Sequence, residues 1–507
     1  MERIARDDSR ERRAGRFLTR RGLFEIAGLA MASAALRPQI VVAGAARLAP
    51  DAAPETSSVM ERLSRYMSEA RSRALPEEVI EKTKQHVLDT LAAMISGSAL
   101  LPGRAALGFA RSYGDRDVAT VVASSFLRGP IEAALTNGVL AHADETDDSH
   151  SPSQSHPGCA VVPAALAVGE QFGISGTHFL RAVALGYDIG PRFTMTLGGQ
   201  RFEAETHWST HSISPLFGAA AAASCAANLN PQQMRWMLGY TAHQSSGLRA
   251  WNRDTEHMQK AFHFGGMTAR NGVTSALLVE AGWTGVDDIL SGKDNFFAAY
   301  NPHADPAGLI DKLGERYEVA RTNIKKWPVG SPIQAALDAL VVLRKQRPFA
   351  SAEAKQLSVR LATDEAAIVN NREIPDICLQ HMIAVMLLDQ TVTFASAHDR
   401  ERLNDAATLR ERAKVQLIPD SEFERLMPLR VAIVDVTLAD GSHLTQRVDN
   451  VRGTPENPMT RDEIMAKASD LITPVLGEAK SSGLIEKVFH LEGVSDIREL
   501  RPLLQHN

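Results

Sequence analysis

Cysteine is scarce in this chain: Cys159, Cys225 and Cys378 are the three present, widely spaced and with no CxxC pair among them. That spacing excludes a zinc ribbon or a clustered iron–sulfur motif, and each thiol reads as a small buried apolar group. An excess of positive charge is lacking too, since 55 Lys and Arg stand against 60 Asp and Glu for a net charge of −5. Phosphate backbones require a basic face, so nucleic acid is excluded as a partner; a small anion needs only a few local cations and is not. No HExxH pair occurs, and no DxDxDG loop with a distal Glu, so neither a zinc helix nor a calcium loop is signalled. Internal repeats and low-complexity tracts are absent as well.

The N-terminal apolar run, Leu23 to Leu36, is shorter than the ~20 residues of a membrane span. The twin arginine Arg20 and Arg21 precedes it, and small residues follow at Ala32-Ser33-Ala34 and Ala43-Gly44-Ala45. Residues 1–45 therefore read as a bacterial twin-arginine export signal, cleaved after Ala45, with an uncleaved anchor as the alternative. Residues 46–58 read as a flexible leader. The mature protein is expected in the periplasm, with no membrane attachment beyond the signal.

A chain of 507 residues is too long for one core, and its patterning changes along its length. Residues 59–316 read as an all-helical domain. Pro76 opens and Gly97 closes a helix in which Val87, Leu91 and Ile95 form one stripe, and Ser214 to Leu229 is a helix of very small side chains. Residues 317–452 read as a smaller α+β domain, with a strand in "AKQLSVRLA" and a hairpin in "VAIVDVTLADGSHLTQRV" turning at Asp440-Gly441. Residues 453–507 return to helix, opened by a Thr460/Glu463 capping box, and are expected to pack on the first domain. The fold class is mainly α: a large helical domain with an inserted α+β lid.

Between two apolar segments lies "HADETDDSHSPSQSHPG", His142 to Gly158, with Asp144, Glu145, Asp147, Asp148, His142, His150 and His156. These atoms suit a metal, an acid/base site or a solvated loop. Carboxylate–imidazole pairs beside a buried helix suit proton transfer best. Cations to hold an acidic substrate come from "EHMQKAFHFGG", with His257, Lys260 and His263, and from Lys325 and Lys326. His207 and His211 precede the small-residue helix.

Together these stretches resemble the MmgE/PrpD family, which includes 2-methylcitrate dehydratase-like and cis-aconitate decarboxylase enzymes. The polar stretch is similar to its HA-x-x-x-DD-[ST]-H…HP element, and "FGAAAAASCA", "KAFHFGG", "KKWP", "AVMLLD", "ADGSHL" and "GTPENPMT" follow in the family's order. The resemblance implies a homodimer with its site between a helical domain and an α+β lid, needing no metal or organic cofactor. It also implies catalytic roles for Glu145, Ser149, His156, His211 (or His207), Lys260 and, from the lid side, Lys325, with His263 and Lys326 beside them. Glu145 stands where the family carries Asp, Ser149 where it carries Thr, and His381 where decarboxylase members carry Tyr. The expectation is a lyase, or an isomerase, for a small polycarboxylate other than cis-aconitate. A periplasmic carboxylate-binding protein without catalysis and a metal-dependent hydrolase are the rivals.

Overall fold

The computed structural model describes residues 56–114 and 116–506. Residues 1–45, read above as an export signal, and nearly all of the expected leader lie outside the described residues. Two hydrophobic cores are present. One gathers apolar side chains from Met60 to Ile324 and again from Met459 to Leu504. The other is built from Trp327 to Val451.

The first core is a stack of helices whose sequence permits unusually close approach. Helix Thr210–Ala226 is buried along almost its whole length and packs on Gly176–Leu197. A Cβ at Gly218 would lie 2.8 Å from the Gly186 carbonyl oxygen, so the small residues bring two backbones into contact. Helix Glu77–Gly97 has Pro76 at its N-cap and contributes Val87, Leu91 and Ile95, all buried. The returning helix Arg461–Leu476 starts at the Thr460/Glu463 capping box and lies on Glu77–Gly97. Lys467 anchors it, donating to Asp89 Oδ1 at 2.5 Å and to the Thr146 carbonyl at 2.9 Å, all out of water.

A four-stranded sheet forms the second core in the order Val415–Asp420, Ala354–Ala362, Ala432–Leu438, His443–Val448. The first pair is parallel and the others antiparallel. Strand Ala432–Leu438 alternates buried and half-buried residues, and Val434 and Val436 contribute roughly 1.5–3 kcal/mol each by full burial. Gly441, at φ 87°, makes the hairpin turn. Helices Ser331–Gln346 and Leu379–Asp389 cover the sheet. The second ends where Gln390 caps it in the left-handed region at φ 66°, and a short helix Phe394–Ala397 follows.

Candidate active site

Helix Pro130–Ala141 ends at His142, and helix Gly158–Phe172 begins sixteen positions on. The polar stretch between them is not a solvated loop. His142, Asp147, Asp148 and His150 are fully buried, and Asp144, Glu145 and His156 are at most 7% exposed. Backbone pairing folds it: His150 and Ser155 exchange N–H···O bonds, as do Ser149 and Asn323.

Part of the stretch is architecture. Asp148 accepts from the Gly158 amide at 3.0 Å, from His86 Nδ1 at 2.9 Å and from the Tyr187 hydroxyl, which fixes the start of the next helix. His150 turns away from the other imidazoles to Glu318, 3.2 Å distant, and to Ser153 at 2.7 Å. Arg316 and Arg321 pair with the same Glu318.

The remainder converges. Asp147 Oδ2 lies 3.0 Å from His142 Nδ1, and its Oδ1 lies 3.2 Å from His156 Nδ1. A carboxylate only accepts, so both rings carry hydrogen on Nδ1 and direct Nε2 away from Asp147. Burial alone would raise Asp147, but the two imidazoles outweigh it and hold the carboxyl far below its usual range. Burial pushes His156 down to about 4, against the pull of Asp147, so its ring is neutral near pH 7. Lys325 is 3% exposed and sits where the chain passes between the two cores. It donates to the Glu145 carbonyl at 2.7 Å, with its Nζ 3.5 Å from Glu145 Oε2 and 3.9 Å from Asp147 Oδ1. Lys260 Nζ pairs with Glu145 Oε1. Both ammonium groups overcome burial and keep Glu145 ionised, well below the ordinary carboxylate range.

An aromatic floor lies beneath. Phe264 stacks on His142 and on His211, each at 4.5 Å between centroids, and Trp251 meets its edge at 4.9 Å. Phe264 belongs to a π-helical turn, Phe262–Gly266, of the kind often found at functional sites. Gly265 and Gly138 make that turn possible, because a Cβ on either would collide with the other's backbone. His263, in the same turn, is half-buried, lowered to about 4 chiefly by burial, and its Nε2 has no partner. His211 Nδ1 lies 3.5 Å from Glu203.

The structure thus brings together Glu145, His156, His211, Lys260, His263 and Lys325. Ser149 lies at the edge, lining a cavity of about 270 Å³ with Lys325 and Asn323. Three expected residues are not joined to the cluster. His207 is exposed at a helix end with φ 63°. Lys326 places its ammonium 4.5 Å over the Trp327 ring. His381 is buried with neither ring nitrogen bonded, and the charges acting on it are Arg412, Arg402 and Asp399.

The cluster also includes His142, Asp147 and His257, which the resemblance to the family did not single out. His257 is buried, stands in the left-handed region at φ 61°, and has its ring 5.1 Å from that of His142. Burial and then Lys260 lower it to about 3. It also lines a cavity of about 380 Å³, bounded by Arg104, Asp144, Asp376, His398 and Arg400, within the size range of small-molecule sites. His142, Glu145 and His257 present ligand-type atoms within 4.8 Å of one another. Lys260 and Lys325 already neutralise that carboxylate, so a metal ion would enter beside two ammonium groups.

The fold is a helical body with an α+β unit set into it, and carboxylates, neutral imidazoles and ammonium groups gather where the two meet. Residues 61–308 match the MmgE/PrpD N-terminal domain and residues 327–491 the MmgE/PrpD C-terminal domain. The chain belongs to the MmgE/PrpD family. It is 25% identical to the cis-aconitate decarboxylase-like protein oryM of Aspergillus oryzae, over 90% of this chain and 98% of the relative. It is 24% identical to the cis-aconitate decarboxylase of Aspergillus terreus, over 88% and 96% respectively. The human cis-aconitate decarboxylase is 26% identical over 85% of this chain and 91% of its own length.

Proposed function

We propose that this chain is a lyase that acts on a small polycarboxylate by proton transfer at a carbon beside a carboxylate, as a dehydratase or decarboxylase. The observation that carries this is the meeting of Lys260 and Lys325 with imidazoles oriented by Asp147, in a family whose named relatives are cis-aconitate decarboxylases. The two ammonium groups exchange Glu145 for carboxylates of the substrate, and charge-assisted bonds of this type are the strong ones. Glu145, ionised and twice paired, is a weak base and serves to hold the lysines in place. His156 is the better base: its ring is neutral when the site is empty, and a bound polyanion raises its proton affinity toward the working pH. Lys325 lies at the passage between the cores, so movement of the α+β part as a lid would complete the site and exclude water.

In a dehydration, His156 Nε2 takes the hydrogen as the C–H bond breaks, the electron pair forms the alkene, and hydroxide leaves as water after receiving a proton. In a decarboxylation the bond to the carboxylate carbon breaks, carbon dioxide leaves, and the pair left on carbon takes up a proton. No cofactor takes part in either scheme. The differences at Glu145, Ser149 and His381 favour an acid other than cis-aconitate.

The test is the initial rate of alkene formation or carbon dioxide release with citrate, 2-methylcitrate, cis-aconitate and malate, chelator present. Turnover of one member, lowered at least about a hundredfold in Lys260→Ala, supports the proposal. Saturable binding of an acid with no turnover would replace it with the binding-protein reading.

A further inference from the structure

We propose that His142 is a second proton carrier of this site, the donor opposite His156, and that Asp147 is the positioning residue that serves both. This rests on the lyase reading above. The geometry is a single carboxylate gripping two imidazoles, at 3.0 Å and 3.2 Å, with the three groups buried. Both Nδ1 atoms are used, so the chemistry of each ring is confined to Nε2. His142 Nε2 is buried and has no hydrogen-bond partner in the protein. Leaving such an atom unpaired costs about 1–3 kcal/mol, so a group that arrives with substrate is the natural partner.

The surroundings of the ring agree. A nitrogen of His142, one of His257 and an oxygen of Glu145 lie within 4.8 Å of one another, on the side where Lys260 reaches Glu145. One face of the ring is covered by Phe264, stacked at 4.5 Å, and the rings of His156 and His257 lie 4.9 Å and 5.1 Å away. With Nδ1 held by Asp147, the open nitrogen of the ring is Nε2. The charged and titratable groups around the pair are Asp147, Glu145, Lys260, Lys325, His257, His211 and, beside Asp147, the thiol of Cys159.

One carboxylate between two imidazoles supports one imidazolium, because the positive charge on either ring opposes protonation of the other. We assign that one proton to His142, which leaves His156, lowered by burial, as the neutral base. In dehydration, His156 Nε2 gains the substrate hydrogen while the His142 Nε2–H bond breaks and its proton joins the departing hydroxide, giving water. In decarboxylation, the same Nε2–H bond breaks to form the new C–H bond as carbon dioxide leaves. In both cases His142 ends neutral and is reprotonated from solvent, with no oxidant or reductant needed.

The experiment has two arms. The first uses the converted acid in D2O with wild type, His142→Gln, His156→Gln and Asp147→Asn. His156→Gln is expected to lose exchange of the hydrogen alpha to the carboxylate. His142→Gln keeps that exchange while product formation falls at least about a hundredfold. Asp147→Asn slows both, and the pH profile of the remaining rate shifts. Turnover of His142→Gln within a few fold of wild type would overturn the proposal. The second arm needs no turnover: 15N-histidine spectra, assigned with the two Gln variants, read the tautomer of each ring. His156 is expected as the neutral Nδ1–H tautomer and His142 with hydrogen on both ring nitrogens, and Asp147→Asn is expected to shift both. A spectrum in which Asp147→Asn moves His156 alone would overturn the shared clamp. Wild type inactive on every acid, with the spectra as expected, would instead count against the lyase reading and leave the clamp standing.

Discussion

His398 offers the sharpest quantitative test of how the two cores are held together around the polar stretch. It follows the short helix Phe394–Ala397, and its Nδ1–H donates to the Phe394 carbonyl at 2.8 Å. Its Nε2 lies 3.0 Å from Asp144 and 4.0 Å from Asp376. Burial favours the neutral ring, but the bond and charge of Asp144 win, with help from Asp376, and the imidazole is raised to about 9. Against an unfolded value near 6.5, that rise amounts to about 3 kcal/mol of stabilisation at most. The shift is upward, so the contribution is fully present below pH ~6.5 and is lost as pH climbs through about 9. An unfolding entropy of about 2.1 cal/mol/K per residue over roughly 450 residues converts this to about 3 °C in Tm. Thermal melts of wild type and His398→Gln should therefore differ by about 3 °C at pH 6.5 and converge by pH 9.5. A difference that is the same at both pH values would refute the assignment of a charged His398 to this clasp.

Three further outcomes follow from buried contacts. Lys467→Met strands the buried carboxylate of Asp89 and should destabilise by about 3–5 kcal/mol, while Lys467→Met with Asp89→Leu recovers most of that loss in urea unfolding; equal losses in the two would show the pair is not acting as one. Gly265→Ala forces a methyl into the Gly138 backbone and should cost about 1–3 kcal/mol or more in the same assay, and tilt Phe264 enough to lower turnover; a fully stable, fully active variant would contradict the close packing. With His156 lowered to about 4, kcat/KM should hold level from pH 7 to pH 5 and fall only as pH approaches 4, because protonation removes the base. An acid limb near 6.5 would place the base elsewhere.

Much of this was legible from residues close together in the chain. Pro76, the stripe of helix Glu77–Gly97, the Thr460/Glu463 box and the Asp440-Gly441 turn are local signals, and local physics decides them. Strand Val415–Asp420 was not seen. It is six half-buried or exposed residues with a proline, and its only sheet partner is a parallel strand far back in the chain. The same divide holds at the site. His142, Glu145 and His156 stood out because they crowd one stretch, and Lys260 and Lys325 because they sit in recognisable motifs. Spacing could not say that His150 turns to Glu318, or that His207 and Lys326 face other surroundings. Asp147 as a clamp for two rings, and His398 reaching back to Asp144, depend on the tertiary fold alone.

The central claim is that a buried carboxylate–imidazole cluster moves protons at the carbon of a polycarboxylate held by Lys260 and Lys325. Proton NMR of the chain in D2O, chelator present, against a panel of polycarboxylates tests it most directly. Deuterium entering a position alpha to a carboxylate, or a new alkene signal, in wild type and its loss in Lys260→Ala is the predicted result. Line broadening that reports binding, with no exchange and no product for any acid, would contradict it.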